Sequence, residues 1–252
     1  MTQSDAVLTE RRGRVLLITI NRPEAMNAIN SAVSKGISEA AERLDDDPEL
    51  AAGVLAGTGR AFCAGMDLKA FARGEKIGTI DDFLRQGTVK PLIAAIDGIA
   101  FAGGLELALA CDLIVAGEGS RLGIPEVAVG LFAAGGALMR LPRRIGYGKA
   151  MEMALTGDPI ASEEAERVGL VDRLAPAGKA VNAALEIAER IARNAPLSIA
   201  ASKHLIRISE GLTDDDFWAA QHPLQHQVFR STDAKEGARA FAEKRPPEWT
   251  GH

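Results

Sequence analysis

Short β-branched runs alternate with amphipathic stretches along the first half of the chain. Val15-Leu16-Leu17-Ile18-Thr19-Ile20 is one such run, closed by Asn21-Arg22-Pro23, and it predicts a strand ending in a turn. Asn30 or Ser31 then caps a helix to about Leu44. Ala32, Val33, Ile37, Ala40, Ala41 and Leu44 fall on it at helical spacing, and Asp45-Asp46-Asp47-Pro48 stops it. A strand is predicted at 51–56. Further on, 92–96 reads as a buried strand, 103–110 as a helix apolar on every side, and 113–116 as another strand. Strands alternating with helices predict the α/β class with right-handed crossovers.

Past Gly130 the pattern turns helical. Helices are predicted at 135–140, 149–155 and 162–168, followed by a short strand at 170–174 and then by helices at 178–193, 196–208, 213–229 and 233–244. This divides the chain into a core, 1–195, and a helical appendage, 196–252, with a soft boundary. The apolar faces of the appendage need cover from the core or from another subunit, which predicts an oligomer.

Composition narrows the class. With 252 residues, 47% hydrophobic, and 26 glycines against 4% aromatics, the chain can bury a sizeable core of tightly packed α/β type. A formal net charge of −5 argues against nucleic-acid partners. Residues 1–10 are polar, and no run approaches the ~18 apolar residues of a membrane span. Cys63 and Cys111 lie in apolar stretches and not in a Cys-x-x-Cys pair, so a reducing cytoplasm is expected, with no disulfide framework or thiolate metal site.

Two acids stand out against this background. Glu106 follows Gly103-Gly104 on the all-apolar helix, where a carboxylate is costly unless paired or used, and where bare backbone N–H groups at a helix start can receive an oxyanion. The plainer reading is a first-turn cap in a tight turn. No Ser or Thr stands at 102–104, however, to complete a capping box. Glu126 follows Gly123-Ile124-Pro125, a context in which a glutamate alone is ordinarily a surface loop residue. The small-residue elbow 59–69 offers a further amide at Met66, and Asp67 there reads first as a helix cap or Asx-turn residue. Other chemistries lack their signatures. There is no phosphate-binding loop, dinucleotide fingerprint, His-Glu-x-x-His pair or Gly-x-Ser-x-Gly elbow, and His222 and His226 flank Pro223 as ordinary helix-face residues.

In their order these segments resemble the crotonase superfamily, and within it the enoyl-CoA hydratases. The match runs through Asn21-Arg22-Pro23-Glu24-Ala25-Met26-Asn27-Ala28, Ala61-Phe62-Cys63-Ala64-Gly65-Met66-Asp67-Leu68, Ile96-Asp97-Gly98 into Gly103-Gly104-Leu105-Glu106, Gly123-Ile124-Pro125-Glu126, Ala165-Glu166-Arg167-Val168-Gly169-Leu170-Val171 and Ala240-Phe241-Ala242-Glu243-Lys244-Arg245. The resemblance implies a spiral of ββα units with a helical C-terminal trimerisation region, assembled as a trimer or a dimer of trimers. It implies an acyl-CoA thioester as ligand and no cofactor beyond the coenzyme A that the substrate carries. By the same resemblance the Met66 and Gly103 amides form an oxyanion hole, and Glu106 and Glu126 are the catalytic acids of a reversible syn hydration. Met26, Ala28, Ala64, Asp67, Leu68 and Lys69 would meet the CoA, and Phe241 and Lys244 a neighbouring subunit's CoA.

One stretch departs from the hydratase pattern. Phe132-Ala133-Ala134-Gly135-Gly136-Ala137-Leu138-Met139-Arg140-Leu141 replaces a more polar Pro-Gly-x-Gly-Gly-Thr-Gln-Arg-Leu, near the expected acyl pocket. Double-bond isomerisation, or dehydration of a polar acyl-CoA, is therefore kept beside hydration. A scaffold that binds acyl-CoA without turnover is the alternative of another class, against which the two costly carboxylates weigh.

Overall fold

The computed structural model describes residues 6–75, 78 and 80–252; the expectation for the first five residues lies outside them. The chain opens with a hairpin of β1 (Val7–Arg12) and β2 (Val15–Ile20), then α1 (Ser31–Asp46). One motif then recurs three times, a strand in a large sheet followed closely by a three-residue strand in a small one. The first copy is β3 (Ala52–Gly57) and β4 (Ala61–Cys63), leading to α2 (Leu68–Ala72) and α3 (Ile80–Gln86). The second is β5 (Leu92–Ile96) and β6 (Ile99–Phe101), leading to α4 (Gly103–Ala110). The third is β7 (Leu113–Gly117) and β8 (Arg121–Gly123), leading through a 3-10 turn, Pro125–Val129, to α5 (Ala137–Ile145) and α6 (Tyr147–Thr156). Then come β9 (Ile160–Ala161), α7 (Ser162–Arg167), β10 (Arg173–Ala175), α8 (Ala180–Ala192), α9 (Pro196–Ser209), α10 (Asp214–Arg230) and α11 (Thr232–Glu243).

The large sheet has the order β1-β2-β3-β5-β7-β10, parallel except for the hairpin. The small sheet has the order β4-β6-β8-β9, its first three strands parallel. This is a mixed α/β spiral of ββα units. Simple strand-helix alternation missed β4, β6 and β8 because three residues carry no measurable period. It missed β1 because Leu8 to Arg12 are exposed on a polar edge strand.

Period-2 alternation divides the core. Val15 and Leu17, with Val54, Ile93 and Val115, pack under Ala180, Ala184, Leu185 and Ala188 of α8. Leu16, Ile18 and Ile20 point the other way and join Val33, Ile37 and Leu44 of α1 and Leu105, Leu107 and Leu109 of α4. The Asn30 side chain accepts from the Val33 N–H as the N-cap of α1, which runs past Leu44 to Asp46. Most predicted boundaries shift by a residue or two, and two move further. The helix predicted at 135–140 starts at Ala137 and continues through Pro142 to Ile145. The strand predicted at 170–174 starts only at Arg173, because the Leu170 and Val171 N–H groups bond to Ala165 as the end of α7. No residue of α9 or α10 is buried. No helix among the described residues is long and apolar enough to cross a membrane.

Candidate active site

Three parallel strands, β4, β6 and β8, lie side by side and so end at one edge of the small sheet. Each end delivers one part of the site: β4 runs into Ala64-Gly65-Met66, β6 into Ala102-Gly103 and the start of α4, and β8 into Ile124-Pro125-Glu126. The Ala102 N–H donates to the Gly123 carbonyl (2.9 Å), tying the second end to the third. Ligands gather at the C-terminal ends of parallel strands because loops and helix N-termini converge there.

The close approach of the first two ends dictates the glycines. A Cβ on Gly104 would stand 2.2 Å from the Cys63 carbonyl oxygen, and one on Gly65 would stand 2.7 Å from Ala102 Cβ. Ala102 itself adopts φ 52°, ψ −130°, a strained conformation for a residue with a side chain, and so turns β6 sharply into α4. Ile29 donates to the Gly65 carbonyl (2.8 Å) and accepts from the Asp67 N–H (2.9 Å), which leaves the intervening Met66 N–H facing away from that bridge. Neither the Met66 nor the Gly103 N–H has an acceptor among the described residues, and a Cβ built on Gly103 would lie 3.8 Å from the Met66 nitrogen. Two free amides therefore stand together at the start of a buried helix. Such a pair suits a developing oxyanion.

Both glutamates are buried. Glu106 Oε1 accepts from the Ala137 N–H (3.1 Å). Burial pushes its carboxyl above the ordinary range, against the downward pull of the Ala137 and Gly135 amides and the Arg140 guanidinium. Glu126 is not the surface loop residue its local sequence suggests, and its Oε2 is buried with no partner among the described residues. Burial raises this carboxyl too, and the negative charge of Glu106 raises it further. A carboxyl without a counter-charge favours its neutral form, whereas one receiving amide N–H groups can hold its charge. Glu126 also walls a cleft of about 390 Å³ whose floor is Ile124, Ala133, Leu141 and Ala150.

The two loops expected to meet CoA run alongside each other. The Ala64 N–H donates to the Met26 carbonyl (3.0 Å), and Arg22 bridges them, donating to the Ala28 carbonyl (2.6 Å) and to Asp67 Oδ2 (3.1 Å). The Asp67 side chain is committed as the N-cap of α2, accepting from Lys69 and Ala70, and these bonds, Ala70 foremost, hold its carboxyl below the ordinary range. Leu68 and Lys69 are exposed on α2. Phe241 (88% exposed) and Lys244 stand at the far end of α11 and share no hydrogen bond or cleft with these residues among those described.

Three contributors were not singled out in the sequence. Asn27, fully buried at φ 57°, accepts from the Arg22 N–H and donates to the Thr58 and Ala61 carbonyls, anchoring the loop to the turn before β4. Arg22 ties the Met26 and Met66 loops, as described above. Arg140 donates to the Gly135 and Leu84 carbonyls behind Glu106 and so fixes the turn whose amides face that acid. The 132–141 stretch thus has two roles, with Phe132, Ala133, Leu138 and Leu141 on the cleft and Gly135, Ala137 and Arg140 around Glu106. A buried polar position is legible only from its partners, which lie far away in sequence.

Comparison with known proteins gives this geometry its context. The profile of a family described as enoyl-CoA hydratase/isomerase matches residues 10–252. The chain is 41% identical to enoyl-CoA hydratase EchA19 of Mycobacterium tuberculosis (strain ATCC 25618 / H37Rv), over 96% of this chain and 95% of that protein. It is 40% identical to the carnitinyl-CoA dehydratase of Proteus mirabilis (strain HI4320), over the full length of both. The crystal structure of enoyl-CoA hydratase EchA1 from Mycobacterium marinum superimposes with a TM-score of 0.96 at 53% identity, covering 99% of this chain and 100% of that one. Matched along nearly its whole length in sequence and in fold, the chain belongs to the enoyl-CoA hydratase/isomerase family of the crotonase superfamily.

Proposed function

We propose that the protein adds water reversibly and syn across a 2-enoyl-CoA to give a 3-hydroxyacyl-CoA. The observation that carries this reading is the meeting, at one sheet edge, of two buried carboxyls and two amides that have no acceptor among the described residues, with one carboxyl oxygen also lacking a partner there. The thioester oxygen sits between the Met66 and Gly103 N–H groups. As the β-carbon is attacked, charge builds on that oxygen, and each fixed donor is worth ~3 kcal/mol at the transition state. Glu106, charge-stabilised by the Ala137 and Gly135 amides, takes a proton from water as its oxygen bonds to the β-carbon. Glu126, favoured in its neutral form, gives its proton to the α-carbon. One O–H bond of water and the C=C π bond break while C–O and C–H bonds form, and a proton passing from Glu106 to Glu126 resets the pair. Coenzyme A arrives on the substrate and no separate cofactor takes part.

Met26, Ala28, Ala64, the α2 cap Asp67, and Leu68 and Lys69 of α2 receive the CoA moiety, Asp67 through its backbone because its side chain is already engaged. Residues 196–252 act as the oligomerisation region of a trimer or a dimer of trimers. The support is that α9 and α10 bury no residue of their own while Ile206, Trp218 and Phe229 stand exposed. In that assembly Phe241 and Lys244 reach a neighbouring subunit's CoA. Two fully buried free thiols suit a reducing cytoplasm. The test is the loss of conjugated enoyl-thioester absorbance on mixing with 2-enoyl-CoAs. Absence of turnover along the whole chain-length series defeats the proposal.

A further inference from the structure

The cleft beside Glu126 carries information about what the substrate holds beyond its reacting carbons. Its floor is made of fully apolar, buried side chains, Ile124, Ala133, Leu141 and Ala150. Its rim includes Phe132, Tyr147 and Leu155, which stand 67, 72 and 70% exposed. Large apolar side chains clustered in solvent around an apolar floor call for an occupant. At ~30 Å³ for each water-sized group, about 390 Å³ exceeds what a four-carbon acyl chain fills beyond its β-carbon.

The charges around the cleft restrict that occupant. Among the described residues no Lys, Arg or His lines it, and Glu126 is the only acidic side chain. An acyl chain ending in a carboxylate would leave that charge among apolar walls with no cation among the described lining residues to pair with it. One ending in a quaternary ammonium would hold Glu126 as its carboxylate and take away the proton it gives to the α-carbon.

We infer that the cleft selects 2-enoyl-CoAs whose acyl chain is uncharged, apolar and longer than four carbons, with Ala154 and Leu155 of α6 among the residues that set this choice. The inference deepens the hydratase reading and rests on it.

The experiment pairs turnover with binding. 2-Enoyl-CoAs of four, eight and twelve carbons, a six-carbon substrate with a terminal carboxylate and one with a trimethylammonium end are compared by kcat/KM. The matching saturated acyl-CoAs, which cannot react, are titrated calorimetrically. From four to eight carbons both readouts rise by up to about fourfold for each methylene covered, and the charged chains trail uncharged ones of equal length by at least about tenfold. Affinity that is flat or falls with length, or a preference for either charged end, overturns the inference. A rising affinity series with no turnover on any enoyl-CoA instead defeats hydration and leaves the cleft assignment standing. Ala154→Phe, which narrows the cleft, lowers the twelve-to-four-carbon ratio of kcat/KM by about tenfold or more. Leu155→Lys, at an exposed rim position that folding does not depend on, raises the ratio of carboxylate-ended to uncharged substrate. Unchanged ratios in both variants overturn the assignment.

Discussion

Gly65→Ala tests whether the spacing of two backbone amides, with no change in any reactive side chain, controls the rate. Gly65 has φ +94°, and an added Cβ would meet Ala102 Cβ at 2.7 Å, the Phe101 carbonyl oxygen at 2.9 Å and the Gly103 nitrogen at 3.3 Å. Restoring an ordinary carbon–carbon contact of ~3.5 Å moves Ala102 by roughly 0.8 Å, and Gly103, the next residue, moves with it. Donors stabilise an oxyanion only within ~2.7–3.1 Å, so losing one of the pair costs ~10²–10³ in kcat, or about 2.7–4 kcal/mol. The fold also loses stability, ~1–3 kcal/mol from the left-handed backbone and a similar amount from overpacking. Gly13→Ala is the control, because Gly13 has φ +60° but nothing within 4 Å of an added Cβ. It shows the backbone strain without the collision. Enoyl-thioester hydration and thermal unfolding are measured on both variants. The expected result is a fall of about a hundredfold or more in kcat for Gly65→Ala with KM changed much less, against full activity in Gly13→Ala. A folded Gly65→Ala protein with kcat within about threefold of the parent refutes the oxyanion reasoning.

Three further outcomes are expected. Glu126→Gln lowers kcat by ~10²–10⁴ yet raises the melting temperature at pH 7. Burial lifts the Glu126 carboxyl above its unfolded value, so the folded chain keeps a proton that the unfolded chain releases; stability is greatest below the unfolded pKa and falls as pH rises through the folded one. The gap between variant and parent therefore closes below about pH 4, and a variant no more stable than the parent at pH 7 contradicts the burial argument. Arg140→Met removes a cation that draws Glu106 down, so the acid limb of kcat/KM moves to higher pH, whereas Arg140→Lys moves it less; an unmoved limb in the Met variant assigns Arg140 a packing role alone. Burial pushes the Cys63 thiol up to about 12 and the Cys111 thiol higher still, so neither reacts with a thiol-labelling reagent in the native state, and both react after unfolding; labelling of native protein contradicts their placement.

The long periodic elements were legible in the sequence because burial on one or both faces writes a period into it. β2, β5 and α4 coincide with their predicted spans, and α1 extends only two residues past the expected Leu44. The two acids were visible as anomalies, Glu106 on an apolar helix above all. The surroundings that make them a site were harder to see. The small sheet is built from three-residue strands, and the sharp β6–α4 turn rests on a left-handed alanine, Ala102, that no propensity selects. Glu126 read locally as a surface residue because its burial depends on the cleft walls and on Glu106, and Arg22 and Arg140 read as ordinary charges because their acceptors are remote carbonyls. The apolar 132–141 stretch was noticed as a departure. Only the fold divides it between cleft wall and Glu106 support.

Because consecutive turns of the spiral each contribute one part to the sheet edge, the proposed thioester seat and the second acid are carried by different strands, joined where the Ala102 N–H donates to the Gly123 carbonyl. The amides depend on β4 and β6 pressed together at Gly65 and Gly104, with no slack for a methyl group. Glu126 depends on β8 and the short turn after it. A change beyond β8 that keeps the Gly123 carbonyl in place can therefore exchange one proton-transfer chemistry for another while the proposed enolate-stabilising seat stays as it was. The architecture inherits its electrostatics as a fixed part and carries its acid as a replaceable one.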